Sequence, residues 1–280
     1  MTPDVEAVVD QFASLYYHSY ARTWTDTWWR GVATWKCPLD LWVYQEVLHE
    51  LKPDLIVETG TAHGGSAYYL ASICEMLGRG EILTIDIEAK PDRPEHPRIE
   101  YLLAGSTSEQ ALDRVRARVA AAETVLVILD SDHSRDHVLD ELRAYAPFVT
   151  PGSFLVVEDT NVNGHPVYPE HGPGPMEALI DFLAESDEFV VDESREKFFL
   201  TFNPQGFLKK VPPGSGIAAP SAPARAVLAG PPAPAVPEPV AVPGSGLTPL
   251  DPAATGWRAG VLTRLDAVLA RRGLALARRG

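Results

Sequence analysis

The sequence predicts an α/β fold of the doubly wound kind, a mostly parallel sheet closed by an antiparallel hairpin, on three observations. Apolar runs alternate with helix-like segments from about residue 52 to residue 211, as expected of strands covered by helices on both faces. The first run, Leu55-Ile56-Val57, ends in Glu58 and breaks at once into Thr59-Gly60-Thr61-Ala62-His63-Gly64-Gly65-Ser66. That is a buried strand, a glycine turn and a helix start, the opening unit of a nucleotide-binding sheet. The last two runs, Glu188 to Asp192 and Lys197 to Phe202, flank a charged turn that suits a hairpin.

Residues 1–51 precede the first sheet strand and read as a helical cap. They are rich in rings: Phe12, Tyr16, Tyr17, Tyr20, Trp24, Trp28, Trp29, Trp35, Trp42 and Tyr44. Such rings pack the cap on the sheet or a second subunit, or cover a substrate. Lys52-Pro53-Asp54 is a turn, and Ala67 to Leu77, closed by Gly78, is a helix. Strands follow at Glu81 to Asp86, Ile99 to Leu103, Thr124 to Leu129 and Ser153 to Val157, with helices from Ser108 to Ala122 and Ser134 to Tyr145. A Gly/Pro/His-rich loop, Thr160 to Pro175, leads to a helix through Ala184 and then to the closing hairpin. This is the Rossmann-like layout of class I methyltransferases, and it sets a sheet domain at residues 52–211.

Residues 212–255 hold about half of the chain's 25 prolines and hardly a charge, a composition for an extended linker rather than a core. Residues 256–280 read as a basic amphipathic helix, with six arginines against one aspartate between Trp257 and Arg279. Its expected partner is protein, because the rest of the chain is acidic. The net charge of -14 argues against nucleic acid or an anionic membrane surface as a generic partner. Cys37 and Cys74 form no metal or redox motif. Neither a secretion signal nor a membrane span is legible, so the expected location is cytoplasmic.

The candidate chemistry lies at strand ends. The spacing Glu58-x-Gly60-x-x-x-Gly64-Gly65-Ser66 departs from the dinucleotide fingerprint, and an acid there repels a pyrophosphate but can hold an ammonium group. S-adenosylmethionine carries such a group; the competing account is the glycine turn of another doubly wound fold. Asp86, ending the second sheet strand, can accept hydrogen bonds from ribose hydroxyls or cap a turn. Gly105-Ser106 lies where this topology places an adenine, and His63 shapes the turn. Asp130-Ser131-Asp132-His133 ends one strand and Glu158-Asp159-Thr160 ends its neighbour. Their carboxylates converge on one crevice, where a Mg2+ ion relieves the repulsion or, in its absence, one acid stays protonated. His133, three residues after Asp130, is placed to take a proton from an acceptor hydroxyl. His165 and His171, in the following loop, either touch substrate or are solvated.

Trp35-Lys36-Cys37-Pro38-Leu39-Asp40-Leu41-Trp42-Val43-Tyr44-Gln45-Glu46, the Glu58–Ser66 turn, Leu129-Asp130-Ser131-Asp132-His133-Ser134 and Glu158-Asp159-Thr160 together resemble the cephalosporin hydroxylase family of methyltransferases. That family includes rhamnosyl O-methyltransferases, and macrolide sugar O-methyltransferases are similar in their sites. The resemblance spans about Trp24 to Lys210. It implies S-adenosylmethionine around Glu58, Gly60, Ser66 and Asp86, to which His63, Ser106 and Asp130 are added here. It also implies Mg2+ on Asp130, Glu158 and Asp159, His133 as general base, and a homo-oligomer. The expected activity is O-methylation of a sugar or glycosylated natural product, as in antibiotic biosynthesis. A hydroxylated β-lactam or phenol is the rival acceptor, and a cofactor-binding accessory subunit is the rival from another class.

Overall fold

The computed structural model describes residues 3–212, so the linker of residues 212–255, but for Pro212, and the basic helix of residues 256–280 lie outside the described residues. The cap is less uniformly helical than its sequence predicts. Helix α1 (Pro3–His18) is followed by single 3-10 turns at Tyr20–Arg22 and Trp24–Asp26, then by a small hairpin, β1 (Trp28–Trp29) and β2 (Val32–Ala33). The hairpin forms because Arg30 (φ 50°) and Gly31 (φ 86°) both take the left-handed conformation that a two-residue turn between twisted strands requires. Helix α2 (Pro38–Leu51) starts with proline in its first turn, where no amide partner is lost, and stops at left-handed Lys52.

The sheet domain then runs β3 (Leu55–Thr59), α3 (Gly65–Leu77), β4 (Glu81–Asp86), β5 (Ile99–Leu103), α4 (Glu109–Val119), β6 (Val125–Leu129), α5 (Arg135–Tyr145), β7 (Phe154–Val157), α6 (Pro175–Glu185), β8 (Phe189–Val191) and β9 (Phe207–Lys210). Seven strands form one sheet in the order β5-β4-β3-β6-β7-β9-β8, parallel except where β9 pairs antiparallel with β7 and β8. Alternate residues of one strand feed opposite faces. Leu55, Val57, Val125, Val127 and Leu129 pack with α4, α5 and α6, while Ile56, Leu126 and Ile128 pack with α2 and α3. Both faces are therefore dry, which is why the strands read as unbroken apolar runs.

One strand of the expected hairpin is misplaced. Lys197 to Phe202 is not a strand; its place beside β8 is taken by Phe207–Lys210, which begins about ten residues later, and Glu193–Glu196 is a 3-10 turn. Leu200 and Phe202 are apolar for another reason: they pack under the cap with Ala13, Cys37, Tyr17 and Trp24. Buried Asp40 fixes this contact by accepting a 2.8 Å hydrogen bond from the amide of Phe202. Cys37 and Cys74 are free and buried.

Candidate active site

The parallel strands finish level. Thr59 pairs with both Ile85 and Leu129, and Leu129 pairs with Val157. The ladder continues one residue further, the amides of Gly60, Asp130 and Glu158 donating to Ile85, Thr59 and Leu129. Chain sections distant in sequence thus turn away from the sheet side by side. At Gly60 (φ +85°) a Cβ would lie 1.7 Å from the carbonyl oxygen of Asp130, so only glycine lets the two turns touch. At Gly65 a Cβ would lie 2.1 Å from the carbonyl oxygen of Ala33, so the start of α3 abuts the chain leaving the cap hairpin.

Between these backbones is a cleft open to solvent, with Trp35 and Lys36 on one side and Gly60 to His63, Ser66 and Asp130 on the other. Glu58 is fully buried below the turn. Its Oε2 accepts from Thr84 at 2.5 Å, and its Oε1 has no hydrogen-bond partner among the described residues. Burial pushes its carboxyl up to about 7, against the hydroxyls of Ser66 and Thr84 and the charge of Lys36. His63 is nearly as buried; its Nδ1 lies 3.2 Å from Asp92, its ring meets Trp35 edge-on at 5.0 Å, and its Nε2 is unpartnered. Two orphaned polar atoms around a glycine turn fit a ligand that brings its own polar groups.

Asp86 ends β4 as expected, already engaged: Oδ2 accepts from the amide of Ala62 (2.8 Å) and from Arg93 (2.9 Å), and Oδ1 from the amide of Glu88 (2.9 Å). Ser106 is buried in a separate network, its Oγ 3.2 Å from His137 Nε2, which lies 3.1 Å from Ser131 Oγ. Ser131 in turn donates to the buried carboxylate of Glu141 at 2.7 Å.

The second half of the site is a chain of alternating charges. Glu158 Oε1 lies 2.9 Å from Lys36 Nζ, which lies 2.6 Å from Asp130 Oδ2. Asp130 Oδ1 is 3.3 Å from His133 Nε2, and that atom is 3.4 Å from Asp159 Oδ2. Tyr44 also donates to Glu158 Oε1. Against burial, the charges of Lys36 and His133 hold the Asp130 carboxyl below the usual range. Burial and the neighbouring acids raise Asp159 to about 6. His133 rises to about 9, because Asp159 and Asp130 outweigh the cost of burying its cation. One atom each of Asp130, His133 and Asp159 lies within 4.8 Å of the others, close enough to share a metal ion. The hard carboxylate oxygens of Asp130 and Asp159, with Glu158 next to them, fit Mg2+.

The structure therefore brings Asp130, His133 and Asp159 together, and joins Glu158 to them through Lys36. His165 and His171 are occupied in their own loop, His165 Nε2 2.9 Å from Glu177 and His171 Nδ1 3.0 Å from the carbonyl of Gly172. The sequence alone marks neither Lys36 nor Arg93 as a site residue, and it marks Tyr44 only as one of the rings of the cap. A lysine set among Trp35, Cys37 and Pro38 was the available signal, since a cation in an apolar stretch needs buried acids nearby.

A seven-stranded sheet with this order, whose opening turn and carboxylate-bearing strand ends share one edge, is the class I methyltransferase fold. Residues 21–211 match the model of the rhamnosyl O-methyltransferase/CmcI family, and the chain belongs to that family, whose members are O-methyltransferase enzymes. It is similar to rhamnosyl O-methyltransferases of Mycobacterium tuberculosis strain H37Rv (39% identical over 213 residues, 72% of this chain and 85% of the relative) and Mycobacterium leprae (36% over 209 residues, 72% and 90%). Among solved structures, the apo-structure of CmcI-N160 aligns with a TM-score of 0.52 at 20% identity, covering 67% of this chain and 77% of that one. The Mg-SAM structure of cmcI-D160 gives 0.52 at 18%, covering 67% and 78%. These two likenesses concern the fold.

Proposed function

We propose that this enzyme transfers a methyl group from S-adenosylmethionine to a hydroxyl of a sugar or glycosylated natural product, with Mg2+ as its metal. The observation that carries this is the meeting, at one sheet edge, of the Glu58–Ser66 turn and the Glu158–Lys36–Asp130–His133–Asp159 chain. The rhamnosyl O-methyltransferases at 36–39% identity support a sugar hydroxyl as acceptor. Glu58, Gly60, His63, Ser66, Asp86, Ser106 and Asp130 would hold the cofactor; Asp130, Glu158 and Asp159 would hold the metal. When bound, S-adenosylmethionine supplies an electrophilic methyl group and Mg2+ supplies positive charge that makes a nearby hydroxyl more acidic. His133 Nε2, between Asp130 and Asp159, would receive the acceptor's proton in its neutral form, which its rise to about 9 places at alkaline pH. The cap hairpin and the turn flank the cleft where the acceptor would be aligned with the methyl group, which is most of what a sulfonium transfer asks of a protein. No helix among the described residues is long and apolar enough to cross a membrane. A cytoplasmic homo-oligomer working in natural-product or antibiotic biosynthesis completes the proposal, the exposed rings of the cap being candidates for the subunit contact.

The test separates the two halves of the site. With a rhamnoside acceptor, His133→Ala should lower turnover by about two to four powers of ten while leaving cofactor affinity near that of the parent. Asp86→Ala should weaken cofactor binding and leave Mn2+ binding, measured alone, nearly unchanged. Equal loss of cofactor binding in the His133 variant contradicts its role as the base.

A further inference from the structure

Lys36 has no part in that mechanism, yet it is among the most constrained side chains of the molecule. It is 5% exposed, comes from the cap, and places its ammonium between two acids that end neighbouring strands, 2.6 Å from Asp130 and 2.9 Å from Glu158. Those are two of the three carboxylates assigned above to the metal. Glu158 itself is 2% exposed, and the oxygen that meets Lys36 also accepts from Tyr44.

From this geometry we infer that Lys36 is a resident cation: tethered to the cap, it neutralises the Asp130–Glu158 pair while no metal is bound and competes with the divalent ion for those same oxygens. The inference rests on the metal reading of Asp130, Glu158 and Asp159. Two physical consequences follow from the position of the ammonium. Glu158 is deeply buried and the Asp130 side chain is 16% exposed; left without a cation the two would repel each other, so without Lys36 the folded metal-free protein is destabilised. And an incoming ion that meets three carboxylates plus an ammonium is attracted less than one that meets the carboxylates alone, because like charges about 4 Å apart still repel each other at the effective dielectric of a protein. Lys36 thus sets metal affinity by opposition, and it ties the occupancy of the metal site to the seating of the cap.

The experiment is Mn2+ titration of metal-stripped protein without cofactor or acceptor, followed by electron paramagnetic resonance of the free ion, in the parent, Lys36→Met and Lys36→Arg. The Met variant should bind Mn2+ at least about tenfold more tightly than the parent, and the Arg variant, which keeps the charge, should gain much less. Mg2+ should also raise the melting temperature of the Met variant by more than that of the parent. Equal or weaker Mn2+ binding by the Met variant, with the parent binding normally, overturns the resident-cation inference and leaves the metal reading standing. Absence of Mn2+ binding in all three proteins overturns the metal reading and the inference together. If the Met variant does not fold, reductive methylation of the parent decides the matter: Lys36 should be labelled faster with Mg2+ than without it, and an unchanged rate overturns the inference.

Discussion

Glu58 is a fully buried acid with one satisfied oxygen and one orphan, and this has a consequence for pH. Its carboxyl titrates at about 7 in the folded chain against an ordinary value of 4.5. The folded state therefore holds the proton more tightly than the unfolded state, and stability falls as pH rises from about 4.5 to about 7. Glu58→Gln removes that dependence. Urea unfolding at pH 8 should find the variant more stable than the parent by about 3 kcal/mol, a difference that vanishes by about pH 4. Buried Asp40 shifts in the same direction but is present in both proteins and cancels. A variant less stable than the parent at pH 8 contradicts the account of Glu58. That site acids were legible at all follows from their places at strand ends, where parallel topology fixes the neighbours. Lys36 was not, because its reach to Asp130, 94 residues away, depends on a hairpin set by Arg30 and Gly31. Nor does sequence spacing reveal that Arg93 already sits on Asp86.

At the scale of elements, the readable parts were those whose pattern has one cause. Strands β3, β4, β6 and β7 are apolar because two helical layers cover them, and the sequence placed them within a residue or two. Lys197 to Phe202 misleads because burial under the cap and burial in a sheet leave the same trace in a short apolar run. The glycine turn is the element on which the site depends, since Gly60 is where the β3 and β6 turns meet. Gly60→Ala puts a methyl group 1.7 Å from the Asp130 carbonyl oxygen and a side chain at φ +85°. It should cost about 3 kcal/mol in urea unfolding and weaken cofactor binding at least about tenfold, because the turn and Asp130 must part. A variant with the parent's stability and affinity shows that the two turns are not held in contact.

At the scale of the whole molecule, the proposed cofactor half and metal half stand at the carboxyl ends of the strands under a cap that lines the first with Trp35 and Lys36 and reaches the second with Lys36. An accessory subunit that only binds the cofactor has no need of the Asp130–His133–Asp159 group, which is why the enzymatic reading is preferred to that rival. The described residues contain both halves, so a chain ending at residue 212 should bind cofactor as the full chain does. The measurement that bears most directly on this account is calorimetric titration of S-adenosylmethionine into metal-stripped protein, then of rhamnosides and other glycosides into the cofactor complex with and without Mg2+. The account expects cofactor binding without metal, and acceptor binding followed by methyl transfer only when Mg2+ is present. A protein that binds no S-adenosylmethionine under either condition contradicts it.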